Sequence, residues 1–201
     1  DILPASIQFL QDTAFDIEAE IIDLLGEMLG KGSNAHFTTG TGSTQPQGVV
    51  TAASSGVVAA TGNATTITYA NLVNLEHSVD PAYRTRAEWM FHDSTLRALK
   101  LLVDGQQRPL WSGGMSVREP DTILGYRYVI NQDMPQMAAN ARSILFGDFS
   151  KFVIRDVLDA QIARLDERFA DALQFGFLGF SRHDCNLTDT AAVRFYQNSA
   201  T

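Results

Sequence analysis

The residues most able to do chemistry lie in three places. The first is the loop "HFTTGTGSTQPQGVV", His36 to Val50, rich in glycine and threonine between an apolar helical pattern and an apolar run. A phosphate cradle needs glycines at set spacing, a Lys followed by Ser or Thr, and a helix whose amides point at the anion. Gly40 and Gly42 are followed only by Gly48, too far along for a dinucleotide fingerprint, and no Gly-Lys-Ser/Thr occurs. The loop therefore reads as a tight turn, in which glycine permits unusual backbone angles and Pro46 fixes φ before the chain re-enters a sheet.

The second place is "RHDC", where His183 and Cys185 stand two apart and share a face if the segment is extended. Two ligands do not make a metal site, and His36, His77 and His92 form no spaced pair with them. A buried thiol beside a surface histidine is the simpler reading, and no local signature supports a Cys/His nucleophile. Third come scattered carboxylates, Asp80, Asp121, Asp148 and Asp156, which an acidic chain supplies in any case. Gly-x-Ser-x-Gly and His-Glu-x-x-His are both absent, so the usual hydrolase signatures are missing. The sequons at Asn63 and Asn186 are read as chance matches in a chain without a secretory signal.

Composition narrows the class further. With 15 basic and 23 acidic residues, the net charge of −8 opposes nonspecific nucleic-acid binding, which depends on Lys and Arg displacing counterions. A single cysteine excludes an internal disulfide framework and makes a reducing cytoplasm the default. No apolar run approaches the ~20 residues that span a bilayer. The start, "DILPASIQF", lacks both a methionine and the marks of a signal peptide, which suggests a piece of a longer chain.

Elements must position whatever these residues do. "ASIQFLQDTAFDIEAEIIDLLGEMLG" places Ile7, Leu10, Ala14, Ile17, Ile21, Leu24 and Met28 on one helical face, with Gly30 and Gly32 as the expected stop. Thr38 to Thr66 reads as loop and short strands and as a domain crossing. "TYANLVNLEHSV" predicts a helix; "AEWMFHDSTLRALKLLVDGQQRPLW" predicts a strand, an Asp93 cap, a helix through Leu96, Leu99 and Val103, and a turn at Asp104-Gly105. "PDTILGYRYVI", "SILFGDFSKFVIRDV" and "AAVRFYQ" predict strands, whereas "DAQIARLDERFADALQFGFLGF" is open between helix and strand.

The order of motifs resembles the major capsid proteins of tailed bacteriophages with the Hong Kong 97 fold. "ASIQFLQDTAFDIEAEI" is similar to the start of that family's spine helix, and "FTTGTGSTQPQGVV" to its hallmark loop, with Phe37, Gly40, Gly42, Pro46 and Gly48 at the matching places. Trp89 and Trp111 stand in a run similar to the family's Trp-Met, helix, Asp-Gly turn and Leu-Trp. Gly125, Gly147-Asp148 and Arg182 follow in the family's order, although Gly125-Tyr126-Arg127-Tyr128 stands where many relatives have Gly, one residue and Pro.

The resemblance implies an α+β fold with a peripheral domain holding the spine helix and loop (1–50), an inserted axial domain (51–183) and a return to the periphery (184–201). It further implies a non-enzymatic subunit without cofactor or metal, assembled with itself into pentamers and hexamers of an icosahedral shell that encloses DNA nonspecifically. Scaffold, portal or decoration proteins would be further partners, with no membrane partner, and the virion capsid, built in the host bacterial cytoplasm, would be its location. The chain opens at the helix, without the arm and extended loop that the family normally places ahead of it. An encapsulin-type nanocompartment shell and, more remotely, a small hydrolase or metal enzyme stay open as alternatives.

Overall fold

The structure, a computed structural model, describes residues 2–12, 17–103, 106, 108 and 122–201. Trp111, Asp121, the Asp104-Gly105 turn and part of the first helical pattern, residues 13–16, lie outside the described residues.

The chain opens on a strand rather than directly on the helix. In β1 (Ile2–Ser6) Pro4 has no N–H to donate, which an edge strand tolerates. A short helix, α1 (Ile7–Asp12), follows, and then the long helix α2 (Ile17–Thr39). α2 passes straight through Gly30 and Gly32, against the expected stop, because a glycine ends a helix by turning left-handed and neither residue has positive φ. The helix ends instead at Thr39, where the Gly40 N–H donates to the His36 carbonyl.

Beyond the loop come α3 (Val49–Ala52), β2 (Ser54–Val58), α4 (Tyr69–Ser78), α5 (Pro81–Arg84), β3 (Glu88–Phe91) and α6 (Asp93–Lys100). The cap of α6 is His92, not Asp93: its Nδ1 accepts from the Ser94 N–H, and Asp93 occupies the first helical position. There follow β4 (Thr122–Ile123), β5 (Tyr126–Ile130), β6 (Arg142–Gly147), β7 (Phe152–Leu165), β8 (Gln174–Leu187) and β9 (Val193–Gln197).

The strands form two sheets. Six lie in the order β2-β9-β6-β3-β5-β4, and three in the order β1-β8-β7. In the larger sheet β6 is buried on both faces. Ile144 and Phe146 pack with Trp89, Phe91, Leu75 and Tyr196, while Leu145 faces the second cluster with Val50, Val193 and Phe195. That two-sided burial explains why "SILF" reads as an unbroken apolar run instead of alternating.

The open segment resolves as strand. β7 and β8 pair antiparallel from Phe152↔Leu187 to Leu165↔Gly176, with irregular register between Asp156 and Leu158 and between Leu158 and Gln161. Its helix-compatible spacing fails because Ile162 and Phe177 reach a small core with Ala5, Ile21 and Leu25, which only an extended backbone delivers under α2. α2 lies along this hairpin, where a Cβ added at Gly179 would sit 3.3 Å from Leu29 Cδ1. Small residues at that line let the helix approach the strand.

Candidate functional site

The glycine loop closes on its own backbone. A Cβ at Gly40 would lie 2.1 Å from the Pro46 carbonyl oxygen and 2.4 Å from that of His36; one at Gly48 would lie 2.4 Å from Gly40 N. The Gly48 N–H donates to the Gly40 carbonyl at 3.0 Å, Thr41 bridges Gln47, and Gly42 takes φ +76°. These amides are bonded within the loop, so they are not arrayed around an anion. What the loop does is end α2 and turn the chain into α3.

Four of the other chemically capable groups, Cys185, His183, Asp80 and Asp148, are engaged as well. Cys185 is buried, its thiol 3.3 Å from the Gln47 carbonyl, to which it donates, and burial together with the neighbouring Asp184 pushes its pKa up. His183 instead meets the ring of Phe37 edge-on, with centroids 4.7 Å apart. Among the described residues no three His, Cys, Asp or Glu side chains gather as a metal site. Asp80 accepts from the Ala82 N–H and caps α5, and Asp148 accepts from the Ser150 N–H and caps a short 3-10 turn. Asp156 lies on β7 opposite His183 in the register.

Trp89 is fully buried, donates from Nε1 to the Ile123 carbonyl at 3.0 Å and packs on Phe146 with centroids 4.2 Å apart. Gly125 turns the β4–β5 hairpin at φ +83°. At Gly147 a Cβ would collide with the backbone of Ala192, 2.1 Å away. Arg182 is exposed within β8, which continues to Leu187 before the turn into β9. Gly40, Pro46 and Gly48 therefore meet at one corner, Phe37 at the end of α2 meets His183, Trp89 and Gly147 belong to the large sheet, and Arg182 stands apart.

Sequence reasoning missed a polar tie between α2 and the loop that follows β5. Asn34 on α2 donates to Asn131 Oδ1 and to Asp133, while Asn131 Nδ2 donates to Thr38 Oγ1 at 2.8 Å. Arg142 was missed as well: it donates to the Val50 carbonyl at 2.9 Å and lies over Phe195, 4.3 Å from the centroid. Partners about a hundred residues apart leave no local signal.

What remains unsatisfied is apolar surface. On α2 Ile22, Leu24 and Met28 are exposed; on β7, an edge strand of its sheet, Val153, Ile154 and Val157 are at least 45% exposed. Cavities of about 340 and 450 Å³ flank α2 where it crosses the hairpin. A row of exposed β-branched residues on an edge strand is a surface that a partner chain covers or that aggregates. No described helix is long and apolar enough to cross a membrane.

Comparison with known proteins agrees with this picture. The model of the phage capsid family matches residues 1–198. The capsid of an empty GTA particle, computed with C5 symmetry, is 27% identical with a TM-score of 0.88, over 100% of this chain and 72% of that one. The native GTA capsid gives the same identity and score over 71% of its chain. A structure from Mycobacterium phage Adephagia, 13% identical with a TM-score of 0.73, covers 100% of this chain and 71% of its own, and shows the fold. Among curated proteins none matches.

Proposed function

Because this chain belongs to the phage capsid family, with the Hong Kong 97 fold and the role of a major capsid protein in a phage shell, we propose that its copies pack into pentamers and hexamers that close around DNA. The observation that carries the proposal is the overlay of this chain on about 72% of a capsid chain from a particle computed with C5 symmetry. Closed point-group contacts of that kind need extended edges on each copy, and the uncovered apolar residues of α2 and β7 supply them.

The function is mechanical, with no catalytic step. In support of that reading, Asp80 and Asp148 are engaged as caps, Cys185 as a hydrogen-bond donor and His183 in a ring contact. Phe37 and the loop residues Gly40, Gly42, Pro46 and Gly48, together with Trp89, Trp111, Gly125, Gly147, Asp148 and Arg182, are the family's structural motif. Residues 1–50 form the periphery, 51–183 the axial insertion and 184–201 the return. The sheet pairing argues for moving part of the insertion to the periphery, since the β7–β8 hairpin pairs with β1 beside α2.

Assembly takes place in the host bacterial cytoplasm, with scaffold, portal or decoration proteins as partners, and the net charge of −8 keeps packaged DNA from adhering to the wall. An encapsulin-type shell is the reading that these comparisons do not favour. Incubating shells with nuclease tests enclosure: the DNA is protected if the reading holds, and digested or absent if it fails.

A further inference from the structure

We infer that the cavity between α4, α5 and β9 is a carboxylate socket, filled in the shell by an acidic side chain from a second copy of this chain. The inference rests on the capsid reading. The cavity measures about 540 Å³ and is lined by Arg84 and Arg194, with His77, Asp80, Val79 and Ala191.

Both guanidiniums are held in place yet lack an ionic partner. Arg84 Nε donates to the Val79 carbonyl at 2.8 Å and Nη2 to the His77 carbonyl at 3.2 Å, at the C-terminal end of α4; Nη1 lies 3.4 Å from His77 Nδ1. Arg194 Nη1 donates to the Ser55 carbonyl at 3.2 Å, and its Nε is buried without an acceptor. Among the described residues no carboxylate stands within 4.0 Å of either. Arg164, by contrast, is paired with Glu18 and Asp166.

Two unpaired arginines on one cavity are unexpected in a chain with 23 acidic and 15 basic residues. The acids nearby are already committed: Asp80 caps α5, and Asp189 accepts from the Tyr83 hydroxyl at 2.6 Å and from the Ala191 N–H at 2.9 Å. A planar carboxylate fits guanidinium donors two at a time, and the buried Val79 lines the same cavity.

The charge pattern favours a side chain over nucleic acid. Duplex backbone is bound by runs of cations, whereas this site has two arginines and an aspartate, Asp80, among its lining residues. Every copy of an acidic chain brings carboxylates to its neighbours, so the complement is always at hand.

The test is a cryo-electron-microscopy map of the assembled shell of the complete gene product, with Arg194→Gln and Arg194→Lys assembled in parallel. The expected map shows a carboxylate oxygen of a second copy within 4 Å of the Arg84 or Arg194 guanidinium. Arg194→Gln should raise the protein concentration at which shells form about tenfold or more, and Arg194→Lys should recover part of that loss. A cavity holding only solvent or a nucleic-acid phosphate overturns the inference, as does Arg194→Gln assembling at the wild-type concentration. If Arg194→Gln does not fold, the wild-type map alone decides. Wild-type protein that forms no shell overturns the capsid reading, and this inference with it.

Discussion

Replacing Gly48 with alanine and, separately, Gly32 with alanine should move stability in opposite directions. At Gly48 the new methyl would sit 2.4 Å from Gly40 N and 2.6 Å from the Thr38 carbonyl, all backbone, whereas real Cβ atoms essentially never come within 3.0 Å. The loop must therefore open by more than half an ångström, which loosens the Gly48 N–H to Gly40 carbonyl bond and the Thr41–Gln47 bridge. Overpacking costs about 1–3 kcal/mol and a hydrogen bond about 1 kcal/mol. Restricting the unfolded chain returns about 0.4–1 kcal/mol, so Gly48→Ala should lose about 1–3.5 kcal/mol. Gly32 is helical and a Cβ there meets nothing within 4 Å, so Gly32→Ala should gain up to about 1 kcal/mol from helix propensity. Urea unfolding of the unassembled subunit, followed by circular dichroism, reads both. A Gly48→Ala subunit as stable as wild type, or a Gly32→Ala subunit weaker than Gly48→Ala, would refute the close-approach account of the loop.

Three further outcomes follow from the same geometry. Trp89→Ala should lose about 3–5 kcal/mol in urea unfolding, since it leaves a cavity against Phe146 and strips the Ile123 carbonyl of its indole donor; a loss below 1 kcal/mol contradicts the core assignment. Cys185 should resist iodoacetamide in the folded subunit at pH 8 and react on unfolding, because burial raises its pKa; equal rates in both states would show an accessible thiolate. The Tyr83 hydroxyl, and after it the Ala191 N–H, hold the Asp189 carboxyl below its usual range. A depressed carboxylate stabilises fully above its unfolded pKa of about 3.9, and that contribution is lost as pH falls through the lower folded value. Asp189→Asn should therefore flatten the acid limb of Tm against pH below about 4, and parallel limbs for the two proteins would count against this tie.

What was legible depended on whether a signal was local. The strand of Trp89 and the strands β5, β6 and β9 announce themselves by β-branched and aromatic runs between turn residues, and the helix of Leu96 and Leu99 by its apolar spacing. The end of α2 was misread because glycine marks a helix end only when it turns left-handed, and composition does not reveal φ at Gly30 or Gly32. β1 was not foreseen: "ILPAS" has no alternation, and its pairing with β8 joins residues more than 160 apart. The corner of Gly40, Pro46 and Gly48 was visible as a motif, yet its collision distances come only from the folded backbone. Arg84 and Arg194 meet one cavity from α5 and β9, and the Asn34–Asn131 bond joins α2 to the loop after β5. Convergence of that kind leaves no trace in spacing.

The central claim is that this chain is a shell subunit, and electron microscopy of the complete gene product, expressed alone and with the proposed scaffold and portal partners, tests it most directly. Uniform closed particles whose capsomers fit this fold, with α2 and β7 covered by neighbouring copies, are the predicted result. Particles in which Ile22, Leu24, Val153 and Val157 all face solvent, or monomers under every condition, would contradict it.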